Sequence, residues 1–118
     1  MEKRNKNMAF HYMYRDGSNW KRHGEVVFTG EPEDYDNYEK ELRKCFEDND
    51  NFMADQIDVP ERFGWNGGDE DDHCWHEFVA VPETSSDPDD ERTPQEFLEC
   101  VRKAGKDWIT FTITRTYK

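Results

Sequence analysis

This sequence of 118 residues has few of the features that mark enzymes, secreted proteins or membrane proteins. It contains no GxGxxG, GxxxxGK[ST] or GxSxG motif, and these are the usual marks of nucleotide binding and of serine hydrolases. No apolar run is long enough for a signal-peptide core or a membrane span, so we expect a cytoplasmic protein. These absences favour a non-enzymatic role that needs no cofactor.

Cysteine is also scarce. The three cysteines, Cys45, Cys74 and Cys100, form an odd set without a CxxC pair, which is typical of free thiols in a reducing compartment. A catalytic thiolate needs basic neighbours that lower its pKa. Cys100 has such neighbours in sequence, Arg102 and Lys103, but helical periodicity turns Arg102 away from it. We therefore predict no catalytic cysteine.

One dense group of metal-ligating residue types is present, namely His73, Cys74 and His76. A zinc site needs two separated pairs or three converging ligands, whereas this segment has a single crowded cluster. The run from His76 to Ala80 begins like an HExxH zinc-protease motif, but it has Ala80 where the second His must stand. We predict no metal site, with a metal-binding protein or a small enzyme that uses His73 and His76 as a further alternative.

What the sequence has in excess is negative charge. It carries 28 acidic and 16 basic residues, which gives a net charge of −12 at pH 7. The imbalance is concentrated between residues 31 and 99, where 24 acidic residues stand against 5 basic ones. Such a polyanion repels nucleic acid and anionic membranes, so we predict neither as a direct partner. It suits a protein partner with a basic surface, such as a nucleic-acid-binding effector.

The acids expected to matter most lie in three dense runs, because neighbouring carboxylates reinforce one another's field. The candidate partner-binding residues are Glu33, Asp34, Asp36, Asp69, Glu70, Asp71, Asp72, Asp87, Asp89, Asp90 and Glu91. Acids two apart on a strand or four apart on a helix are about 6 Å apart, close to the spacing of every second phosphate along a DNA strand. Simple solubility is the competing interpretation of the same charge.

Hydrophobic periodicity predicts one α+β domain over residues 1–118, with residues 1–7 as a flexible N-terminal tail. Alternation of apolar and polar residues predicts four strands, at residues 8–14, 24–29, 75–81 and 108–117. Asp16 and Gly17 are turn residues, so we expect the first two strands to form a hairpin. The order ββαβαβ predicts a four-stranded, largely antiparallel sheet with two helices on one face.

The two helices are predicted from three- and four-residue spacing of apolar residues. The first begins around Pro32 and ends near Asp48, whereas the second begins at a capping box formed by Thr93 and Glu96 and ends at Gly105. Residues 49–72 lack sustained periodicity and predict a long irregular connection.

Two resemblances bear on function. The segments YRDGSNWK (residues 14–21), FMADQIDVP (52–60) and DHCWHE (72–77) resemble a family of short uncharacterised bacterial proteins, which have a YRD-x-SN-aromatic-K opening and a DHxWHE segment. That family implies no activity. Small size and extreme acidity are similar to phage-encoded inhibitors that imitate DNA, including anti-CRISPR and anti-restriction proteins. This second resemblance implies a nucleic-acid mimic that inhibits a DNA- or RNA-binding defence protein.

The main alternative is an accessory interaction protein, antitoxin-like or immunity-like, that does not imitate nucleic acid. Its anchors would be Trp20, Trp65 and Trp75, because aromatic side chains dominate the binding energy of many interfaces. Exposure of these rings would favour this alternative. A steep dependence of binding on salt would favour mimicry instead.

Overall fold

A computed structural model describes residues 6–15, 21–60, 75–106 and 108 of the chain. Within them the strands are β1 (Asn7–Arg15), β2 (Lys21–Phe28), β3 (Asn51–Phe52), β4 (His76–Ala80) and β5 (Glu83–Thr84). The helices are α1 (Tyr35–Cys45) and α2 (Pro94–Gly105), and a short 3-10 helix spans Ala54–Ile57. The predicted α+β class, with an antiparallel sheet and two helices, is confirmed.

β1 is the central strand of the described sheet. It pairs antiparallel with β2 in a register that places Met8 opposite Phe28 and Arg15 opposite Lys21. On its other side β1 pairs with β4 and, nearer its start, with β5. β3 extends the sheet beyond β4, so the strand order in the described residues is β2-β1-β4-β3 with β5 beside β1. The hairpin expected from the first two strands is therefore present.

The hydrophobic core lies on one face of this sheet. Alternate residues of β1 point into it and are at most 1% exposed, namely Met8, Phe10, Tyr12 and Tyr14. Phe97 of α2 stacks on Phe28 of β2 with ring centroids 4.3 Å apart, and Leu42 of α1 is buried in the same cluster. Both helices thus cover the same face of the sheet, as the element order predicts.

α1 and α2 run parallel to each other. Near their first turns, the Tyr38 hydroxyl donates a hydrogen bond to the carbonyl oxygen of Pro94 at 2.6 Å. Near their last turns, a Cβ placed on Gly105 would lie 2.6 Å from the carbonyl oxygen of Cys45. Only glycine allows this close approach of the two backbones. The N-termini of both helices consequently lie at the same end of the molecule.

The predicted start of α1 is too early. Asp34 is the N-cap, and its carboxylate accepts a hydrogen bond from the backbone N–H of Asn37 at 3.2 Å. Pro32 therefore precedes the helix instead of occupying its first turn. An aspartate side chain satisfies an amide that would otherwise lack a partner, which explains why the helix begins here.

α1 also ends before the predicted residue, at Cys45 instead of near Asp48. Phe46 leaves the helix with an extended backbone, and its ring packs 5.2 Å from that of Phe52 in the core. Residues 49–60 contain β3 and the 3-10 helix, so this part of the connection is not irregular. A two-residue strand is too short to show alternation, and the sequence pattern missed it for that reason.

Two predictions concern the ends of the chain. The sequence pattern places Asn7 in the flexible tail, but this residue is the first of β1 and is only 7% exposed. The predicted strand at residues 108–117 lies outside the described residues except for Trp108. That ring packs against Phe46, and its indole N–H donates to the carbonyl oxygen of Cys45 at 3.0 Å.

Candidate functional site

Two of the three acidic runs meet at one end of the molecule. The side-chain amide of Asn7 donates to the carbonyl oxygen of Ser86 at 2.9 Å, and its oxygen accepts from the N–H of Gly30 at 2.8 Å. The N–H of Thr29 also donates to the carbonyl oxygen of Arg92 at 3.0 Å. These bonds bring residues 30–37 beside residues 83–92, and we call these two segments together the acidic end.

Part of the negative charge at the acidic end is not used by the fold. Four of the predicted site residues there are exposed and bond to no other described residue, namely Glu33, Asp36, Asp87 and Glu91. Two nearby cations are paired with other acids, because Lys6 lies 3.1 Å from Glu83 and Arg92 lies 2.8 Å from Asp90. The four carboxylates face solvent and form no ion pair with another described residue.

Other predicted site residues have roles within the fold. Asp34 caps α1 through its carboxylate. The carboxylate of Asp89 accepts from the N–H of Val27 at 3.0 Å, and the N–H of Asp89 donates to the carbonyl oxygen of Val27 at 2.8 Å. Asp89 thus bonds to the backbone N–H and C=O of Val27 on the edge of β2. An edge strand with unpaired backbone groups can pair with a strand of another chain, and Asp89 prevents this at Val27.

Asp90 is part of a hydrogen-bond network around Arg92. The guanidinium bonds to both carboxylate oxygens of Asp90, and it donates to the carbonyl oxygens of Ile57 and Asp58 at 3.0 Å. It also lies 5.2 Å from the centroid of the Phe97 ring. Burial alone would raise the pKa of Asp90, but the hydrogen bonds from Arg92 hold this pKa below its usual value. Asp90 is therefore less available to a partner than its neighbours.

The third acidic run lies outside the described residues, and so do two of the proposed tryptophan anchors and two of the proposed metal ligands. These residues are Asp69, Glu70, Asp71, Asp72, Trp20, Trp65, His73 and Cys74. Trp75 is half-buried, and its ring packs edge-on against Trp108 with centroids 6.3 Å apart. It is thus partly used by the protein itself.

His76 is a core residue of β4. It is fully buried, and its ring lies 5.2 Å from that of Tyr14 and 6.0 Å from that of Phe52. In the part of the chain that the structure describes, no three His, Cys, Asp or Glu side chains come together in a way that could hold a metal ion. The packing of His76 among aromatic rings suits a structural role.

The two described cysteines are free thiols that are half-buried. Burial raises the pKa of Cys45, although Arg102 nearby acts in the opposite direction. The Cys45 thiol donates to the carbonyl oxygen of Glu41 at 3.4 Å within α1. A raised pKa leaves less thiolate at neutral pH, so Cys45 is poorly suited to nucleophilic chemistry.

A groove of about 650 Å³ runs along the surface between α1 and α2. Charged residues on its rim are Glu31, Glu33, Asp34, Glu41 and Arg102, whereas Tyr38, Pro94 and Leu98 supply apolar surface. Sequence reasoning missed the groove because it arises from the packing of two helices distant in sequence. Helical spacing of Asp34, Asn37 and Glu41 was the available signal that these residues share one face.

Exposed cations lie at the other end of β2. Lys21 lies seven residues from Phe28 along β2, which corresponds to roughly 23 Å. We call Lys21 and Arg22 the hairpin end. Their side chains are exposed and form no ion pair with another described residue. Within the described residues, exposed cations and the acidic end thus lie at opposite ends of β2.

No helix within the described ranges has the length and apolar character needed to cross a membrane. The fold and the charged surface define a small α+β domain with an acidic end. Comparison with known proteins returns no match to this chain among family models, curated proteins or solved structures. Its function must therefore be inferred from the chain's own residues.

Proposed function

We propose that this chain is a non-enzymatic protein-binding module that imitates nucleic acid and inhibits a nucleic-acid-binding protein. The observation that carries the proposal is the meeting of two acidic runs, distant in sequence, at one end of the fold. Glu33 and Asp36 come from the first run, and Asp87 and Glu91 come from the second. Together they form a negative surface that no single run would provide.

The chemistry of phosphate recognition supports this choice. Proteins that bind nucleic acid position it largely through Arg and Lys contacts to phosphate oxygens. Carboxylate oxygens accept the same charge-assisted hydrogen bonds, and Arg binds both groups in a bidentate manner. A surface of clustered carboxylates also steers a basic partner during association. The acidic end therefore offers such a partner the same type of contact as a phosphate backbone.

The accessory-protein alternative needs exposed apolar anchors. Among the described residues, Val79 is the one large hydrophobic residue that is exposed, at 42%. A lone apolar side chain is ordinary on a protein surface and does not indicate an interface. The described surface therefore favours electrostatic recognition over apolar docking.

The test compares two variants that remove the same charge from different places. E33Q/D36N/D87N neutralises the acidic end, whereas the control E47Q/D48N/D55N neutralises exposed acids elsewhere. Each protein is immobilised and exposed to the heparin-binding fraction of a lysate from the cell that encodes the chain. The retained proteins are identified by mass spectrometry, and their affinity is then measured with each purified partner across a series of salt concentrations.

We expect duplex DNA or RNA to displace the partner, and the affinity to fall steeply with salt. The acidic-end variant should bind roughly tenfold more weakly, because three exposed ion pairs together contribute about 1.5 kcal/mol. The control variant should bind like the wild type. Binding that ignores salt, nucleic acid and both variants would support solubility as the only role of the charge.

A further inference from the structure

We propose that the groove between α1 and α2 receives an arginine side chain of the protein partner. This inference rests on the proposed function, since it assigns a specific contact to the partner's basic surface. The groove proposal requires a site that binds one particular side chain. Mimicry by the acidic end alone requires only a negative electrostatic field.

The carboxylates on the rim set the sign of the groove. Glu33 bonds to no other described residue, and the carboxylate of Asp34 uses one oxygen to cap α1. Arg102 is the single cation among the described residues that line the groove, and it is already bonded to Glu41. An additional cation can therefore be accommodated next to acceptors that have unused lone pairs.

The N-termini of α1 and α2 do not cancel the negative charge of the groove. A free helix N-terminus attracts anions through its unsatisfied N–H groups. At α2, however, the Thr93 hydroxyl accepts from the N–H of Glu96 at 3.1 Å, and the Glu96 carboxylate accepts from the N–H of Thr93 at 3.0 Å. Asp34 plays the corresponding role at α1. Because both ends are capped by the chain itself, the groove favours a cation over an anion.

The apolar surface of the groove suits a side chain with a long aliphatic stem. Tyr38 and Leu98 are buried side chains on opposite helices, and both border the groove. Arginine and lysine lay their methylene groups on such surfaces while their charged groups reach polar acceptors. A metal ion would make no use of this surface.

Arginine fits the rim better than lysine does. Its planar guanidinium can bond two carboxylates at once, whereas an ammonium group acts as a point charge. The chain's own Arg102 illustrates this geometry, because one of its terminal nitrogens lies 3.1 Å from Glu41 and the other lies 2.8 Å from Glu99. A second guanidinium farther along the groove would meet Glu31, Glu33 and Asp34 in the same manner.

The probe for this site is N-acetyl-arginine amide, followed by two-dimensional NMR of the labelled protein. N-acetyl-citrulline amide is the matched control, since it has almost the same shape and no charge. We expect saturable shifts for the side-chain amides of Asn37 and Gln95 and for the backbone of Thr93. The citrulline compound should cause no saturable shift at these positions, and N-acetyl-lysine amide should bind more weakly than the arginine compound.

Two variants add the same charge at different positions of the acidic end. Asn37→Arg places a guanidinium inside the groove, whereas Ser85→Arg places one on an exposed loop outside it. Asn37→Arg should weaken binding of the arginine probe at least about fivefold, which corresponds to the loss of one exposed ion pair. Ser85→Arg should change it by less than about twofold.

Diffuse shifts without saturation in the wild-type protein, or equal effects of the two variants, would overturn the groove as a site. The citrulline comparison uses the wild type, so it tests the groove even if a variant fails to fold. The proposed function fails separately, if neutralising Glu33, Asp36 and Asp87 leaves partner binding unchanged. Loss of partner binding in that variant, together with no saturable arginine shift, would keep mimicry and reject the groove.

Discussion

The acidic end and the hairpin end are built in different ways. At the hairpin end, residues close in sequence pair along one antiparallel ladder, and Lys21 and Arg22 extend into solvent. At the acidic end, loops and helix starts from distant parts of the chain are held by side-chain hydrogen bonds. Charged residues there divide into those that assemble the fold and those that face outward. Density of charge in the sequence does not separate these two groups.

The largest expected effect on the free energy of unfolding comes from replacing an arginine at each end. These replacements test the contrast between charged residues that assemble the fold and those that face solvent. Arg92→Ala removes the pair with Asp90, the bonds to two carbonyl oxygens and the ring contact with Phe97. We expect it to lower the free energy of unfolding by about 3 kcal/mol, because Asp90 is left half-buried without its partner.

Arg22→Ala is the matched change at the hairpin end and should cost at most about 0.5 kcal/mol. Urea denaturation followed by circular dichroism measures both values. Equal losses for the two variants would contradict the division between a structural and a solvent-facing arginine.

Gly24 offers a smaller effect and refines the description of β2. A Cβ at this position would lie 2.6 Å from Cζ of the buried Tyr12 ring, whose hydroxyl donates to the carbonyl oxygen of Pro60 at 2.6 Å. Gly24→Ala should therefore destabilise the protein by about 2 kcal/mol through overpacking. It should also shift the NMR signals of Pro60 and its neighbours.

The comparison is Gly30→Ala at the acidic end. Gly30 has a φ of 90° and nothing within 4 Å of the added Cβ, so the cost there arises from backbone strain alone. We expect about 1 kcal/mol. If Gly24→Ala left the stability unchanged, the Tyr12 ring would have to move aside, and overpacking at Gly24 would be excluded.

The pH dependence of stability gives an expected effect smaller than those of Arg92→Ala and Gly24→Ala. The folded-state pKa of Asp90 lies below its usual value of 3.8, so its pair with Arg92 stabilises the protein above that pH. The contribution is lost as the pH falls through the folded-state pKa. At neutral pH, Asp90→Asn should therefore be less stable than the wild type by about 1.5 kcal/mol, and the difference should shrink as the pH falls below 3.8.

Asp87→Asn serves as the control for this measurement, since Asp87 is exposed, lies outside the helices and bonds to no other described residue. Its stability should stay within about 0.5 kcal/mol of that of the wild type. If the difference between Asp90→Asn and the wild type stayed constant on acidification, the ion pair would not be its cause.

Much of the fold could be predicted from local patterns. Alternation of apolar and polar residues predicted a strand at residues 8–14, which lies within β1, and the capping box at Thr93 fixed the start of α2. Two features were not predictable in this way. β3 has too few residues to show a period, and the end of α1 depends on the packing of Phe46 against Phe52, which lies in a different segment.

The candidate site was predictable only in part. Dense acidic runs pointed to Glu33 and Asp87, but they gave equal weight to Asp90, whose partner Arg92 could not be assigned from charge density alone. The groove and its residue Glu41 depend on the parallel packing of two helices. Such tertiary contacts have no signature in local sequence, so they are visible only in the folded structure.

The hydrogen bond between Asn7 and Ser86 spans 79 residues of the chain. The acidic end therefore depends on a contact between segments that are synthesised far apart in time. During synthesis, it cannot assemble until the segment that follows β5 has left the ribosome. Of the two acidic runs at this end, nascent chains and fragments that stop before this segment would carry only the carboxylates of residues 31–36. Under the proposed function, the inhibitor would become active only after both segments have joined the fold.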